Sequence, residues 1–347
     1  MDWITEILYD TWDFIVLFLE ENIPLVVGSV KAVIIAVAIM SVVPALVWLE
    51  RRLMGRFQVR LGPNRVGPWG FGQPMADTIK LLFKESIIQS SADKFLFHLA
   101  PAVVVVTAIV AFAVIPFGAP VEVLGQEIPF WGANVNSGIL FVFAISGMGI
   151  YGMVLAGLAS NNKYSLMGGL RSSAQMISYE LTLGLSALSV IVLTGSLNLV
   201  DLVQAQEAYP FILIQPLAFL LFFIAGIAET NRAPFDLPEA EQELVAGFHT
   251  EYTGMKFAMF FMGEYINMVT MSALVTLLFL GGWNSYGLPI WPIVSFALKV
   301  FFLLCVFIWL RSTFPRIRYD RLMTFGWKVL LPLCLLNLLI TGALTVI

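Results

Sequence analysis

The sequence predicts an all-α integral membrane protein with eight transmembrane helices and additional interfacial or amphipathic helices in its cytoplasmic loops. Of its 347 residues, 59% are hydrophobic and 12% are charged, and the mean hydropathy is +0.88. This charged fraction is about half that of soluble domains, so lipid must solvate most of the surface. Two further observations, the apolar windows and the distribution of basic residues, support the same single membrane domain.

Eight windows of roughly 20 apolar residues divide the chain. The stretch 3–19 is interrupted by acidic residues, and we interpret residues 1–23 as an interfacial segment rather than a ninth span. Residues 22–24 are expected to form a turn that introduces the first span. The predicted spans, which make up the bundle of residues 24–347, are 24–49, 99–117, 138–159, 177–197, 211–228, 257–280, 290–310 and 327–346.

The basic residues are concentrated in alternate loops. Of the 19 Lys and Arg residues, 17 follow the first, third, fifth or seventh predicted span. The positive-inside rule therefore predicts that these loops are cytoplasmic and that both termini lie on the opposite side. In the first of them, residues 73–86 have one apolar stripe and predict a helix that lies in the membrane surface. The predicted cytoplasmic loops are 50–98, 160–176, 229–256 and 311–326.

The third cytoplasmic loop is unusually acidic. Residues 229–252 contain six carboxylates and one Arg. Asp236 as N-cap and Glu239 as its capping-box partner predict a short helix over residues 237–247. An alternative is that early carboxylates such as Glu239 and Glu241 only complement the helix dipole.

Four carboxylates fall inside or at the ends of predicted spans. Glu180 lies in the fourth span and Glu264 in the sixth, whereas Glu50 lies at the inner end of the first span and Glu229 at the end of the fifth. A carboxylate at such a depth must be paired, hydrated or protonated. Because burial disfavours the charged form, carboxyl groups of this kind suit a proton relay. The alternative is a set of buried ion pairs, for instance Glu264 with Lys299.

A second group combines cations and aromatic rings at the predicted cytoplasmic face. A pocket for a ligand with an apolar tail and a polar head would need this mixture. Alternatively, the same basic residues only orient the chain in the membrane and bind lipid headgroups. With two His, two Cys and no dinucleotide-binding motif, redox cofactors would have to lie in another subunit. The group contains Arg51, Arg56, Arg60, Arg65, Trp69, Phe71, Arg232 and Phe235.

Three long motifs carry a family resemblance. They are ERRLMGRFQVRLGPNRVGPWGFGQPMADTIKLLFKE (50–85), ASNNKYSLMGGLRSSAQMISYE (159–180) and ETNRAPFDLPEAEQELVAGFHTEYTGMKF (229–257). They resemble the signature loops of the H subunit of bacterial NADH:quinone oxidoreductase, respiratory complex I, the equivalent of mitochondrial NADH dehydrogenase subunit one. The resemblance extends over nearly all eight spans and is weakest before Pro24.

The resemblance implies a subunit of the cell inner membrane that forms the quinone chamber and couples quinone reduction to proton translocation. It is not active alone and binds no cofactor itself: quinone is the substrate, and FMN and Fe–S clusters lie in partner subunits of the peripheral arm. Small membrane subunits and lipid are its other partners. The resemblance assigns the quinone passage to Glu50, Arg51, Lys80, Arg232, Phe235 and Asp236, and proton coupling to Glu180, Glu229, Glu264, Glu239, Glu241 and Glu243.

Other functions remain open at this point. A paralogous membrane subunit of an ion-translocating hydrogenase-type complex would lack the quinone chamber. A secondary transporter would show repeated halves and broken helices, which the sequence does not contain. A purely structural anchor would leave the carboxylates within the spans unexplained.

Overall fold

The computed structural model describes the backbone of residues 2–123, 126–238 and 241–346. It is an α-helical bundle with one small antiparallel hairpin, in which Val121 pairs with Ile128. The helices are α1 (Asp2–Phe57), α2 (Gln73–Phe83), α3 (Lys94–Ala111), α4 (Gly138–Ala159), α5 (Lys163–Thr194), α6 (Leu199–Gln204), α7 (Pro216–Glu229), α8 (Glu241–Leu244), α9 (Met255–Phe279), α10 (Pro292–Thr313), α11 (Tyr319–Phe325) and α12 (Leu331–Val346). The strands are β1 (Val121–Val123) and β2 (Gln126–Ile128), and single turns of other helix types occur at Pro68–Gly70, Gly247–His249 and Gly326–Leu330.

The predicted membrane fold is confirmed. Within the described residues, seven helical segments are long and apolar enough to cross a membrane. The fifth predicted span differs, because α7 has only 14 residues and rises about 21 Å at 1.5 Å per residue. Residues 211–214 are apolar but form turns, and the polar Gln215 follows them before Pro216 begins the helix.

Two local predictions are wrong. Helix α1 continues through residues 22–24, where we predicted a turn, and the interfacial placement of residues 1–23 stays a prediction. The predicted acidic helix is reduced to the four residues of α8. Asp236 does not begin it, because its carboxylate instead forms an ion pair with Arg316 at 2.9 Å.

The four basic loops meet at one end of the bundle, which we call the basic end. Asn162 before α5 donates to Glu251 at 2.7 Å, and the backbone N–H of Ile87 donates to Thr253 at 3.1 Å. The ion pair between Asp236 and Arg316 joins the loop after α7 to the loop after α10. Helix α2 is confirmed, and its predicted apolar stripe is exposed on the surface of the described chain.

Helix α5 lies at the centre and packs against α4, α7 and α12. It begins where the Asn162 side chain accepts from the N–H of Tyr164 at 3.0 Å, and it ends at Gly195, whose φ of 70° is left-handed. Near its start the helix approaches α4 closely, because a Cβ on Gly157 would lie 2.7 Å from the Ser165 carbonyl oxygen. This close packing fixes the depth at which α5 places its polar side chains.

Lys299 of α10 caps the loop that follows α9. Its ammonium donates to the carbonyl oxygens of Leu280, Gly282 and Asn284 at 2.8, 2.9 and 2.7 Å. It also lies 5.1 Å from the centroid of the Tyr286 ring, whose burial raises the pKa of that phenol to about 12. A cation at a helix C-terminus satisfies carbonyl groups that the helix leaves unpaired.

Replacing Lys299 with Met should therefore weaken the end of α9. Three carbonyl oxygens lose a charged donor, and we expect the free energy of unfolding to fall by about 2 kcal/mol. The apparent Tm of the purified protein in detergent measures the change. Lys328→Met, at an exposed position, is the control. Equal Tm values for the two variants would contradict the capping role.

Candidate functional site

Glu50 is a buried carboxylate held by three other elements. It lies near the end of α1, and its Oε2 accepts from the hydroxyl of Tyr265 in α9 at 2.5 Å. Its Oε1 is ion-paired with Arg311 at the end of α10 and lies 3.6 Å from Nη1 of Arg232. Only 3% of Glu50 is exposed, so this one side chain joins α1, α9, α10 and the loop after α7.

Arg232 extends this group to a second carboxylate. Its Nη2 lies 3.8 Å from Oε2 of Glu264, and its guanidinium carbon lies 4.3 Å from the centroid of the Tyr265 ring. Two guanidinium groups thus balance two carboxylates, as a buried set of charges requires. The Glu50 cluster consists of Glu50, Arg232, Glu264, Tyr265 and Arg311.

Gln175 of α5 holds the loop that carries Arg232. Its amide nitrogen donates to the carbonyl oxygens of Ala228 at 2.8 Å and Phe235 at 2.9 Å, and to Oδ1 of Asn231 at 3.3 Å. The loop is therefore folded into the bundle, where Phe235 is buried and its ring centroid lies 6.2 Å from that of Tyr179. Such a position makes the loop part of the core rather than a mobile linker.

Glu180 and Glu229, which we call the carboxylate pair, have a different environment. Glu229 ends α7 and is 5% exposed, while Glu180 of α5 is partly buried. Ser146, whose hydroxyl donates to the carbonyl oxygen of Phe143 at 3.0 Å, lies near Glu229, and the two carboxylates are close enough for their charges to interact. Among the residues that the structure describes, neither carboxylate has a basic group within 4.0 Å, and Oε2 of Glu229 has no hydrogen-bond partner. The pair, in which Glu229 is buried and Glu180 partly buried, thus lies in the bundle without a compensating charge.

A third polar group lies on the surface of the basic end. Asp77 of α2 accepts from Arg51 at 2.6 Å and from Gln73 at 3.3 Å, and it lies 3.5 Å from the ammonium of Lys80. Partial burial acts to raise the pKa of Asp77, but the hydrogen bond and charge of Arg51 outweigh it and hold that pKa below its usual value. Arg51 is therefore anchored to α2 at neutral pH, next to Lys80 of the same helix.

An apolar cleft of about 660 Å³ opens between α1 and α10. Residues 34–49 of α1 and 293–304 of α10 form its walls, Val269 and Phe112 contribute side chains, and Phe71 lies at its basic end. Every lining side chain is apolar. The wall on α1 rises about 22 Å, so the cleft could accommodate an extended hydrocarbon chain and ends one residue before Glu50.

Comparison with known proteins identifies the family. The profile described as NADH dehydrogenase matches residues 30–342. The chain belongs to the NADH dehydrogenase family. The match covers all helices that contribute to the Glu50 cluster, the carboxylate pair and the cleft.

Members of the NADH dehydrogenase family from several bacteria are similar to this chain over most of its length. It is 53% identical over 313 residues to the NADH-quinone oxidoreductase H subunit, numbered 2, of Syntrophobacter fumaroxidans, covering 90% of this chain and 94% of the relative. It is 54% identical over 316 residues to the protein of the same name from Geobacter sulfurreducens, covering 91% and 95%. The NADH-quinone oxidoreductase H subunit of Protochlamydia amoebophila is 53% identical over 300 residues, covering 86% and 92%.

The structure separates the predicted quinone residues of this NADH dehydrogenase family member into two groups. Arg51 and Lys80 are exposed beside Asp77. The others are buried at the basic end of the bundle. There Arg232 contacts Glu50, and Phe235 and Asp236 lie on the same loop as Arg232. The buried group comprises Glu50, Arg232, Phe235 and Asp236.

The predicted proton-coupling residues also separate. Glu180 and Glu229 are together, whereas Glu264 belongs to the Glu50 cluster. Glu243 forms an ion pair with Arg171 at 2.6 Å on the surface. Glu239 lies outside the described residues, and Glu241 begins α8 with a side chain that is not described, so their roles stay predictions. The alternative ion pair between Glu264 and Lys299 is wrong, because these groups bind Arg232 and backbone carbonyls respectively.

Sequence reasoning missed several residues that build the site. Arg311 and Arg316 were counted only among the basic residues that predict which loops are cytoplasmic, although both form ion pairs with buried carboxylates. Gln175 lies inside a quoted motif but was given no role, and Tyr265 follows Glu264 directly. Ser146 was likewise missed. A polar side chain inside an apolar span was the signal available for Tyr265 and Ser146, whereas Gln175 lies two residues before the fourth predicted span.

Proposed function

We propose that this chain is a membrane subunit of an NADH:quinone oxidoreductase, in which it forms the quinone chamber and couples quinone reduction to proton translocation. The family membership and the names of the relatives support the assignment to such a complex. The finer assignment is supported by the arrangement of the cleft, the Glu50 cluster and the carboxylate pair. Each of these has a distinct task in the proposal.

The cleft accommodates the isoprenoid tail of the quinone. Its apolar walls face lipid between α1 and α10, so a hydrophobic chain can enter sideways from the bilayer. The polar head then moves toward the basic end, where Arg51 and Lys80 line the approach. Glu50 and Arg232, with Phe235 and Asp236 on the same loop as Arg232, form the wall behind it.

The electrons come from outside this chain. Reduction of a quinone to a quinol consumes two electrons and two protons, and we propose that an Fe–S cluster in a partner subunit supplies the electrons from NADH by way of FMN. The chain's only two cysteines, Cys305 in α10 and Cys334 in α12, fall short of the four thiolates that such a cluster usually takes. This chain therefore contributes binding groups and proton carriers.

The single observation that carries the coupling proposal is the carboxylate pair, buried without a basic partner. Glu229 precedes Arg232 of the Glu50 cluster by three residues, so the two groups share one loop. Negative charge that develops on the quinone during reduction repels nearby carboxylates and favours their protonation. In our proposal Glu239, Glu241 and Glu243 of the acidic loop receive this effect first. Glu264, Glu229 and Glu180 then transmit it into the bundle.

The basic end faces the cytoplasm in this proposal, and the chain lies in the cell inner membrane. The basic residues in the loops after α1, α4, α7 and α10 support this orientation by the positive-inside rule. Both termini are then periplasmic. The peripheral arm docks on the basic end, and small membrane subunits pack beside the bundle.

A photoreactive quinone with an isoprenoid tail tests the chamber. Illumination of the whole complex in membrane vesicles should label peptides from residues 34–49 and 293–304, and unlabelled quinone should prevent the labelling. Ala45→Trp fills the cleft, and we expect it to raise the KM for long-tailed quinone about tenfold, which is about 1.4 kcal/mol of lost contact. The KM for a short-tailed quinone should change little.

The control is Ala343→Trp, an exposed alanine of α12 that does not line the cleft. It should retain the wild-type KM for both quinones. Labelling that avoids both walls of the cleft, or that unlabelled quinone does not reduce, would contradict the proposed chamber.

A further inference from the structure

Gly147 of α4 lies directly against the carboxylate of Glu180 in α5. A Cβ built on Gly147 would lie 2.8 Å from Oε1 of Glu180, and 3.5 Å from both Cδ and Oε2. Contacts of a Cβ below 3.0 Å are essentially never observed. The carboxylate therefore occupies the volume that any side chain at residue 147 would take.

Helix packing does not account for this glycine. At two other glycines of α4, a Cβ would meet the backbone or an apolar side chain of a neighbouring segment: Gly157 faces the carbonyl oxygen of Ser165, and Gly152 faces Val104. At Gly147 the three nearest atoms all belong to one carboxylate. Glycine is also a poorer helix former than alanine, so α4 itself gains nothing from it.

The residue before Gly147 engages the other member of the carboxylate pair. Ser146, whose hydroxyl donates to the carbonyl oxygen of Phe143 at 3.0 Å, lies near Glu229, and Glu229 and Glu180 are close enough for their charges to interact. Two consecutive residues of α4 therefore lie beside the two carboxylates, Ser146 beside Glu229 and Gly147 beside Glu180. This segment of α4 sets the positions of both acids relative to each other.

We propose that Gly147 is a positioning residue, which allows the Glu180 carboxylate to rest against α4 so that a proton can pass between Glu180 and Glu229. This inference rests on the proposed function, since it concerns the same carboxylate pair. The transfer moves one proton from one carboxyl group to the other carboxylate and needs no further reactant. Its rate depends on the separation of the two groups, which a side chain at residue 147 would change.

Gly147→Ala tests the proposal in the whole complex, assembled in inverted membrane vesicles. The added methyl forces the Glu180 side chain into another rotamer, and misplacing a reacting group by about 1 Å can cost up to ~100-fold in rate. We expect the rate of proton pumping driven by NADH oxidation to fall about tenfold. Gly184→Ala in α5 is the matched control, because nothing lies within 4 Å of its Cβ position, and it should pump like wild type.

A second variant distinguishes positioning from general damage. Glu180→Asp shortens the side chain by one methylene, about 1.5 Å, so in the Gly147→Ala background the carboxylate can withdraw from the methyl group. We expect the double variant to pump more than Gly147→Ala alone, whereas independent effects would add. Two outcomes would overturn the proposal. One is that the losses of pumping in Gly147→Ala and Glu180→Asp simply add in the double variant. The other is that Gly147→Ala pumps like Gly184→Ala.

The same experiment separates this inference from the proposed function. Wild-type pumping by Glu180→Gln would refute the coupling role of the pair, and the positioning role with it. Loss of pumping in Glu180→Gln with full pumping in Gly147→Ala would refute the positioning role alone. If Gly147→Ala fails to assemble, restored assembly in the Glu180→Asp background supports the contact, and continued failure overturns it.

Discussion

Replacing Glu229 with Gln is expected to reduce the rate of proton pumping about 100-fold or more, since a positioned proton-transfer group typically contributes ~10²–10⁴-fold. The amide has the size of the carboxyl group but cannot carry the proton. Glu229 is 5% exposed and does not line the cleft. We therefore expect the KM for quinone to change little. Glu180→Gln should have the same effect, because the two residues form one pair.

Stability should not explain the loss. Burying a charge that has no basic partner costs free energy, and the neutral amide of Gln avoids that cost. The Glu229→Gln variant should therefore assemble and melt like wild type. The measurement is the proton gradient formed per NADH oxidised in inverted vesicles. Glu207→Gln, at an exposed position, is the control. Near wild-type pumping in both Glu229→Gln and Glu180→Gln would contradict the coupling scheme.

The number and order of the long helices could be predicted from sequence because lipid imposes a strict rule. A backbone that crosses lipid must satisfy its own hydrogen bonds, so a long apolar window is almost always a helix. The fifth span shows where the rule ends. Residues 211–214 are apolar, yet the side chain of Gln206 accepts from the N–H of Phe211 at 3.2 Å and the segment turns before α7 begins. The hydropathy of a sequence window cannot predict this hydrogen bond.

Side-chain partners distant in sequence could not be predicted in the same way. The pattern at Asp236 is a valid helix start, but Arg316 is 80 residues away and takes the carboxylate. Local propensity and a tertiary ion pair competed, and the ion pair prevailed. The ion pair between Arg311 and Glu50 could not be predicted for the same reason, because the two residues are also far apart in the sequence.

One incorrect pairing could have been excluded from sequence alone. Glu264 lies 16 residues before the end of the sixth predicted span at residue 280, and Lys299 lies 9 residues after the start of the seventh at residue 290. At 1.5 Å per residue their depths from the shared loop are about 24 Å and about 14 Å. Opposite charges on adjacent antiparallel spans pair only when these depths agree. The same arithmetic shows why Lys299 reaches the carbonyl groups after α9 instead.

The second large effect is expected at Glu50. Glu50→Ala removes the anion between Arg232 and Arg311 and leaves two guanidinium groups facing each other in the bundle. Removing one partner of a buried ion pair typically costs about 3–5 kcal/mol. We expect a lower apparent Tm and less assembled complex. Glu85→Ala, an exposed carboxylate of the same basic end, should leave both unchanged.

A paired replacement separates the structural and functional roles of the Glu50 cluster. In Glu50→Leu with Arg311→Met, both an acid and a base are replaced by apolar groups, which often restores or increases stability relative to a broken pair. The double variant should therefore regain most of the Tm lost in Glu50→Ala. If the cluster also forms the wall of the quinone chamber, quinone reduction should remain low in this stable protein. Recovery of both stability and activity would confine Glu50 and Arg311 to a structural role, because the chamber would then work without their charges.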